Sequence, residues 1–514
     1  MENRLIKSIP LQTYDASIVI AIDKWEENLL QRLLKENFSD HDIVSVAIEH
    51  NKKGVQGDHF SFSNEYAVFC ISNNLKKLKE KNRKESEWEY SNLRNWGGES
   101  LRSDAANCFY PIYVDNNLNI VGFGDVCEDT FHPSSANEYI ENNSILELDH
   151  VNINQFPIIS IYPVSSDGIE RKWRYARQTI DQIRSRLKVK KAQSGEISIE
   201  IAKISDPFKT LWSDPIYNAG DNGTTIITGM GLNFDNPKSY YTVDDCIYAI
   251  SSQEDIILDF FAGSGTTAHC VIERNKLGSN MKYILCEMGT YFDSVTKPRV
   301  EKVIYSNGSI KDYENGKPKS RKGSSHMFKY VRLESYEDCL DNLKYDRSKG
   351  QDDWLEKNPS IREDYMIKYM MDLETKDSIL DIKKFETPFD YQINITRDGE
   401  IKQVNVDLVE TFNFLIGLNV DHIQTFKDIL VVEGVTREGE KTLVIWRNTS
   451  KTDSDALDSW FKKCKYSTLD AEFDVIYVNG DNNLENLRRD DQTWKVRLIE
   501  AEFNKRMFDV QDVK

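Results

Sequence analysis

The hydrophobic pattern changes period several times along the chain. Met1 to about Ile9 has helical spacing, and Ala16 to Ile22 is an almost unbroken apolar run that predicts a strand. From Lys24 to Glu36, apolar residues recur at Trp25, Leu29, Leu30, Leu33 and Leu34, the spacing of an amphipathic helix lying on a sheet. Ile43–Ile48 and Tyr66–Ile71 predict two more strands around the polar, aromatic loop Gly57–Glu65, where His59 reads as an ordinary loop residue. The pattern then loosens as far as Thr210, with a basic helix predicted after Asn74, a loop at Trp96-Gly97-Gly98 with Arg102 beyond it, and a strand at Phe109–Val114. Order returns with a helix over Val243–Ile250 leading into the run Ile256-Ile257-Leu258, a helix from Thr266 to about Asn275, a strand at Tyr283–Cys286 and a turn at Lys297-Pro298-Arg299. Ser306–Ser325 is rich in Gly, Lys and Ser and reads as a linker. Beyond it, a hairpin turning at Asp398-Gly399, a helix over Leu408–Leu418 and strands at Thr442–Trp446 and Phe473–Tyr477 predict a separate α+β domain.

The chain is organised around Ile256–Thr267. The apolar residues Ile256, Ile257 and Leu258, with Phe260 and Phe261 after Asp259, do not alternate, which predicts a central strand of a parallel sheet covered on both faces. Gly263 and Gly265 then allow a sharp turn and close approach of a ligand to the backbone, with a helix N-terminus behind it. Glu287 ends the next apolar run, about 20 residues on, where an acidic side chain accepts hydrogen bonds from ribose hydroxyls. Together these form one site for a nucleoside-bearing cofactor. Gly263-x-Gly265-x-x-Ala268 also satisfies the fingerprint of NAD enzymes, so spacing alone leaves the cofactor open.

Length and charge narrow the picture. At 514 residues the chain calls for two to four domains, and 39% apolar residues with no membrane-length run indicate a soluble protein. The early run Ser17–Ile22 is too short for a signal-peptide core, so a cytoplasmic location is expected. The eight cysteines are scattered without metal-ligand spacing. A net charge of −18 excludes indiscriminate attraction to polyanions but leaves room for local basic grooves. The candidates are Lys76–Lys84, Arg184–Lys191 and Lys317–Lys322, with Glu170-Arg171-Lys172-Trp173-Arg174-Tyr175 interleaving charge and aromatics as DNA-contacting segments do.

The wording Asp259-Phe260-Phe261-Ala262-Gly263-Ser264-Gly265-Thr266-Thr267 resembles the S-adenosylmethionine (AdoMet) motif of amino-methylating DNA methyltransferases. The chain as a whole resembles the modification (Mod) subunits of type III restriction-modification systems, which are β-class, N6-adenine-specific DNA methyltransferases. Ser63–Phe69 resembles the motif that precedes the recognition domain, and Phe234-x-Asn236-Pro237-Lys238-Ser239 resembles the segment covering AdoMet. Glu287 with Tyr291-Phe292 is similar to the ribose-binding segment. Lys329-Tyr330, Leu333–Asp338, Asp407–Asn413 and Trp446-Arg447-Asn448 resemble the C-terminal region of such proteins. The resemblance implies an AdoMet-dependent, Rossmann-like α/β sheet with an inserted recognition domain. It implies AdoMet as cofactor, bound by Asp259–Thr267, Glu287, Lys238 and Ser239, double-stranded DNA as substrate, and a restriction (helicase-nuclease) subunit or a second copy of the chain as partners.

The expected organisation is a first methyltransferase part at 1–73, a target-recognition domain at 74–210, the AdoMet-binding part at 211–310, a linker at 311–325 and a C-terminal docking or dimerisation domain at 326–514. The family's Asp-Pro-Pro-Tyr catalytic motif belongs ahead of the segment that begins at Met1, and nothing before residue 23 resembles it. Catalytic residues are therefore not assigned. Asp214-Pro215-Ile216-Tyr217 is a near match, readable as a displaced motif or as a turn whose Tyr packs locally. The expectation is a chain that needs a separate N-terminal piece both to complete its sheet and to methylate. The alternatives are a non-catalytic DNA- or partner-binding remnant and an NAD-dependent enzyme.

Overall fold

The computed structural model describes residues 2–75, 77–140, 157–193, 195–306, 313–320, 323–333, 335, 338, 385–397, 400–488 and 494–507. Lys76, Arg321, Lys322, Cys339, the Asp398-Gly399 turn, and Glu334, Tyr336 and Glu337 of the resemblance lie outside these residues. The chain divides into two compact units, Met1–Met327 and Phe328–Lys514.

The first unit opens with helix α1 (Glu2–Ser8), strand β1 (Ile18–Ile22), helix α2 (Glu27–Asn37), and strands β2 (His41–Glu49) and β3 (Asn64–Ser72). Strand β3 lies between β1 and β2 and runs antiparallel to both. Leu30 and Leu34 of α2 are buried beneath this sheet with Leu5, Phe38, Val68 and Cys70. Two apolar positions of the expected stripe do not join them. Leu29 stays 60% exposed, and Trp25 precedes the helix and tilts against Phe62.

The middle of the unit is built from strands β4 (Glu89–Asn92), β5 (Ile112–Val114), β6 (Ile120–Phe123), β7 (Asn137–Ile140), β8 (Ile158–Ile161), β9 (Leu187–Lys191) and β10 (Ile197–Lys203). These make an antiparallel sheet in the order β7-β8-β5-β6 and a second in the order β9-β10-β4. One core joins them, with Ile112, Val114, Ile159 and Ile161 on one side and Ile197, Ile199 and Ile201 on the other. The basic helix expected after Asn74 is absent. Lys77–Lys84 runs extended, with the short strand Lys81–Asn82 paired to Ser205–Asp206, because the lysines alternate with too few apolar residues to give a helix a buried stripe. The strand expected over Phe109–Val114 begins only at Ile112, Pro111 having no N–H to donate to a ladder.

Strand β11 (Leu211–Trp212) then adds parallel to β2, and helix α3 (Tyr240–Ile250) leads to strand β12 (Ile256–Asp259), helix α4 (Thr266–Lys276), strand β13 (Lys282–Leu285) and helix α5 (Thr296–Tyr305). Strand β12 corrects the expectation of a central, doubly covered strand. Among the described residues it pairs in parallel with β13 alone, and Ile256 is 60% exposed. The apolar run reports what the strand is suited to, and within these residues one of its edges is open. Lys297-Pro298-Arg299, expected as a turn, is the first turn of α5, where Pro removes an N–H that has no helical partner in any case. Within the stretch read as a linker, Tyr313–Glu314 and Lys317–Pro318 pair as a hairpin, and Gly316 donates its N–H to Gly229 at 2.8 Å.

The second unit contains the hairpin β14 (Gln392–Arg397) and β15 (Glu400–Asn405), helix α6 (Leu408–Leu415), strands β16 (Asn419–Phe426), β17 (Ile429–Val435) and β18 (Lys441–Arg447), helix α7 (Ser454–Lys463), strands β19 (Val475–Val478) and β20 (Val496–Leu498), and helix α8 (Ile499–Met507). Its five-stranded sheet runs β16-β17-β18-β19-β20, antiparallel to β18 and parallel from there. Alternation is strict on the central strands. Val432, Val444 and Trp446 face α6 and α8, while Val431, Leu443 and Ile445 face α7. Among the described residues no helix is long and apolar enough to cross a membrane, and no group of side chains could hold a metal ion.

Candidate cofactor site

Three segments converge where β12 ends. The chain leaves Asp259 and turns through Gly263 (φ 51°) and Gly265 (φ 79°), both in the left-handed region that a side chain strains to adopt. Gly265 is the residue from which α4 starts. Asp259 holds both ends of the turn, accepting from the Phe261 N–H at 3.1 Å and from the Thr267 hydroxyl at 2.6 Å. At the end of β13, Glu287 reaches across with one carboxylate oxygen accepting from the Gly263 N–H at 2.8 Å. Its other oxygen accepts from Met288 and Gly289 at 2.8 and 2.9 Å. Burial works against the Glu287 charge, but these backbone donors and the Tyr291 side chain outweigh it and hold the carboxyl below its ordinary range. Tyr291, its phenol raised by burial and by that carboxylate, meets Phe234 edge to face, with ring centroids 4.9 Å apart. A Cβ added to Gly263 would lie 3.7 Å from the Phe234 ring, so the aromatic pair stands directly over the turn.

The turn is also braced from behind by α5. The Thr296 hydroxyl donates to the Gly263 carbonyl at 2.5 Å. The Arg299 guanidinium, 1% exposed, donates from Nη1 to the Ser264 and Thr266 hydroxyls, both at 2.8 Å, and lies 3.2 Å from His269 Nδ1 through Nη2. Burial without a carboxylate partner lowers Arg299 to about 10, and burial followed by the Arg299 charge drives His269 down, so the imidazole is neutral and Nδ1 accepts. His269 in turn meets Tyr240 of α3 edge to face at 4.9 Å. Sequence reasoning missed both braces, since Thr296 and Arg299 stand far along the chain and Lys297-Pro298 disguised their helix. On the open side, Arg4 lies 4.6 Å over the half-exposed Phe261 ring and donates to Met288 Sδ at 2.8 Å.

Asp259–Thr267 and Glu287 are thus in one place. Lys238 and Ser239 have other engagements: Lys238 pairs with Glu65, and the Ser239 hydroxyl donates to the Ile216 carbonyl at 2.8 Å. At Asp214-Pro215-Ile216-Tyr217 the structure gives the local turn. The Asp214 carboxylate accepts from the Ile216 N–H, and Tyr217 is 3% exposed, stacked on Trp212 at 5.2 Å and donating to Asp245 at 2.7 Å. A ring so packed has no face free for a base.

The chain as a whole is similar to known DNA-modifying enzymes. The chain is 26% identical over 288 residues to the type II methyltransferase M.KpnI of Klebsiella pneumoniae, covering 52% of this chain and 61% of that protein. It is 24% identical over 310 residues to the EcoPI Mod subunit of Escherichia phage P1 (55% and 44%) and 23% identical over 346 residues to the EcoP15I Mod subunit of Escherichia coli (64% and 52%), both type III restriction-modification enzymes. The chain therefore spans less than two-thirds of the length of each. A family model described as DNA methylase, for the N6 and N4 methyltransferases, matches residues 1–297. With more than half of its length matched, the chain belongs to this DNA methylase family.

Proposed function

We propose that this chain carries the cofactor half of a site-specific DNA methyltransferase that moves a methyl group from AdoMet to adenine N6. The observation that carries the reading is the convergence of Glu287, Phe234 and Tyr291 on the left-handed turn at Gly263. A carboxylate beside an aromatic pair fits a ribose and a purine. Glu287 would hold the ribose hydroxyls and the rings would flank the base, while AdoMet supplies an electrophilic methyl. DNA as substrate and membership of a restriction-modification system follow the Mod relatives, as do a restriction subunit and a second copy as partners.

The acceptor half comes from a segment outside these residues. An exocyclic adenine amine is a poor nucleophile until acceptors take its hydrogens and localise its lone pair, and the packed Tyr217 turn does not do this. Support comes from the sheet edges. Among the described strands β12 bonds only to β13 and β1 only to β3, while Phe260, just past β12, and Ile18, Ile20 and Ile22 of β1 pack against the same buried cluster of Leu30, Leu34, Val68 and Cys70. Two strand edges bordering one core form a place for another strand, and exposed apolar edges are otherwise costly in water.

The test has two arms. Calorimetric titration of the chain alone with AdoMet is expected to show binding, and with NAD none. Labelled methyl transfer to DNA is expected only when a polypeptide bearing an Asp-Pro-Pro-Tyr segment is added. Turnover by the chain alone refutes the need for that segment. DNA binding without turnover, even with the segment present, establishes instead a non-catalytic binding remnant.

A further inference from the structure

A second feature lies within the middle sheets and is unrelated to the cofactor site. The loop Asn95–Ser100 is rooted at both ends on the segment Arg171–Trp173. The Asn95 N–H donates to the Lys172 carbonyl at 2.9 Å, the Lys172 N–H donates to the Ser100 carbonyl at 3.0 Å, and Arg94 and Leu101 bridge to Trp173 and Arg171. The floor is rigid, for Trp173 is 2% exposed and donates its indole N–H to the Tyr110 carbonyl at 2.8 Å. On this floor Trp96 stands 51% exposed, with the guanidinium carbons of Arg94 and Arg171 at 4.7 and 4.5 Å from its ring centroid. Both cations are tied to the protein, Arg94 to the Val164 carbonyl and Arg171 to the Ser100 hydroxyl at 2.8 Å.

An exposed indole ordinarily folds back onto apolar surface, because each square ångström of apolar area left in water costs about 25 cal/mol. Here two cation–π contacts brace it on the outside instead. Beyond it the loop is open, with nothing within 4 Å of a Cβ placed at Gly97 or Gly98. A side chain fixed in advance has already lost the rotamer freedom that binding would otherwise remove. The neighbouring surface is basic and aromatic. Lys188 lies 5.3 Å over Tyr90, and exposed Arg174 reaches the Ser91 hydroxyl at 3.0 Å. Lys190 pairs with Glu200 at 2.8 Å, and the exposed acids Glu196 and Asp167 lie close enough to Arg94 to support its charge. Glu99 is the acid on the loop itself.

From this we propose that Trp96 is a fixed wedge that enters duplex DNA, with Arg174, Lys188 and Lys190 set against its phosphates. The proposal rests on the DNA-acting reading above. Apolar wedges partly unstack base steps while cations hold the backbone in register. That division of labour predicts two separable signatures in the full chain.

Binding to a mixed-sequence duplex, followed by fluorescence anisotropy over a range of NaCl concentrations, distinguishes them. Trp96→Ala is expected to raise Kd about tenfold or more without altering the salt slope, whereas Lys188→Gln with Lys190→Gln is expected to lower the slope by about 2. Trp96→Phe, which keeps an aromatic ring beside the two guanidiniums, is expected to restore most of the affinity, so a thermal-stability loss in Trp96→Ala does not confuse the result. Equal affinity in the wild type, Trp96→Ala and Trp96→Phe overturns the wedge while leaving the DNA reading intact. A wild-type chain that does not hold duplex DNA at all overturns both.

Discussion

Glu287 and Arg299 grip the same turn with opposite electrostatics. Glu287 is a half-buried carboxylate whose charge is supported by three backbone N–H groups, one of them from Gly263. Its depressed pKa means that its contribution is complete above the ordinary Glu value of about 4.3 and is lost as pH falls through the lower, folded value. Cofactor binding should therefore be flat in pH across the neutral range and fail only in acid. Charge-assisted hydrogen bonds to a ribose are worth about 1.5–3 kcal/mol, so Glu287→Gln should raise the AdoMet Kd about 10- to 100-fold by calorimetry. Arg299 is a buried cation that, among the described residues, faces no carboxylate and is held by Ser264, Thr266 and His269. Removing it takes away their shared donor: the Ser264 and Thr266 hydroxyls, 3.3 Å apart, still have each other, but His269 Nδ1 loses this donor in a buried site, at about 1–3 kcal/mol. Arg299→Met should lower the unfolding free energy in urea by about 2–4 kcal/mol, and the AdoMet-induced rise in Tm should shrink with it.

At the scale of elements, the turn between β12 and α4 depends on left-handed backbone at its last position. A Cβ at Gly265 would meet Thr296 Cγ2 at 3.2 Å and its carbonyl at 3.4 Å, besides straining φ at 79°. Gly278, just past α4, has φ 106° with open space around it. Both Gly→Ala changes carry a strain of about 1–3 kcal/mol in denaturation, but only Gly265→Ala is expected to weaken AdoMet binding, by tenfold or more, because only there must α5 yield. Such local chemistry is what the sequence made legible. Asp259, the two glycines and Glu287 carry the strand-turn-helix and its acid in their spacing, and the alternation of Gln392–Val406 carries the hairpin, whose register pairs Gln392 with Asn405. Contacts between distant segments were not legible, as with Thr296 and Arg299 behind the loop. Nor was edge position, since the apolar run Ile256–Leu258 reads the same whether its neighbour is present or not. The lysines after Asn74 misled for a further reason: helical propensity is a weak prior where no apolar stripe follows it.

For the whole molecule, the division at Met327 and Phe328 places the turn at Gly263 in one unit and leaves the second unit its own core. The second unit buries Trp446, Phe412, Val444 and Phe503 on one side of its sheet and Leu443, Ile445, Leu457 and Phe461 on the other, so it has the two packed faces that independent stability requires. Every residue that grips the turn at Gly263, namely Asp259, Glu287, Phe234, Tyr291, Thr296 and Arg299, falls in the first unit. If cofactor binding is a property of that unit, a fragment ending at Met327 should bind AdoMet with a Kd within about threefold of the full chain, or less than 1 kcal/mol. Its own unfolding transition should rise with AdoMet concentration as mass action requires. In the full chain, calorimetry should then resolve two transitions, of which AdoMet moves only one. A single transition that shifts as a whole, together with a fragment that has lost affinity, would show that the second unit helps to hold the cofactor.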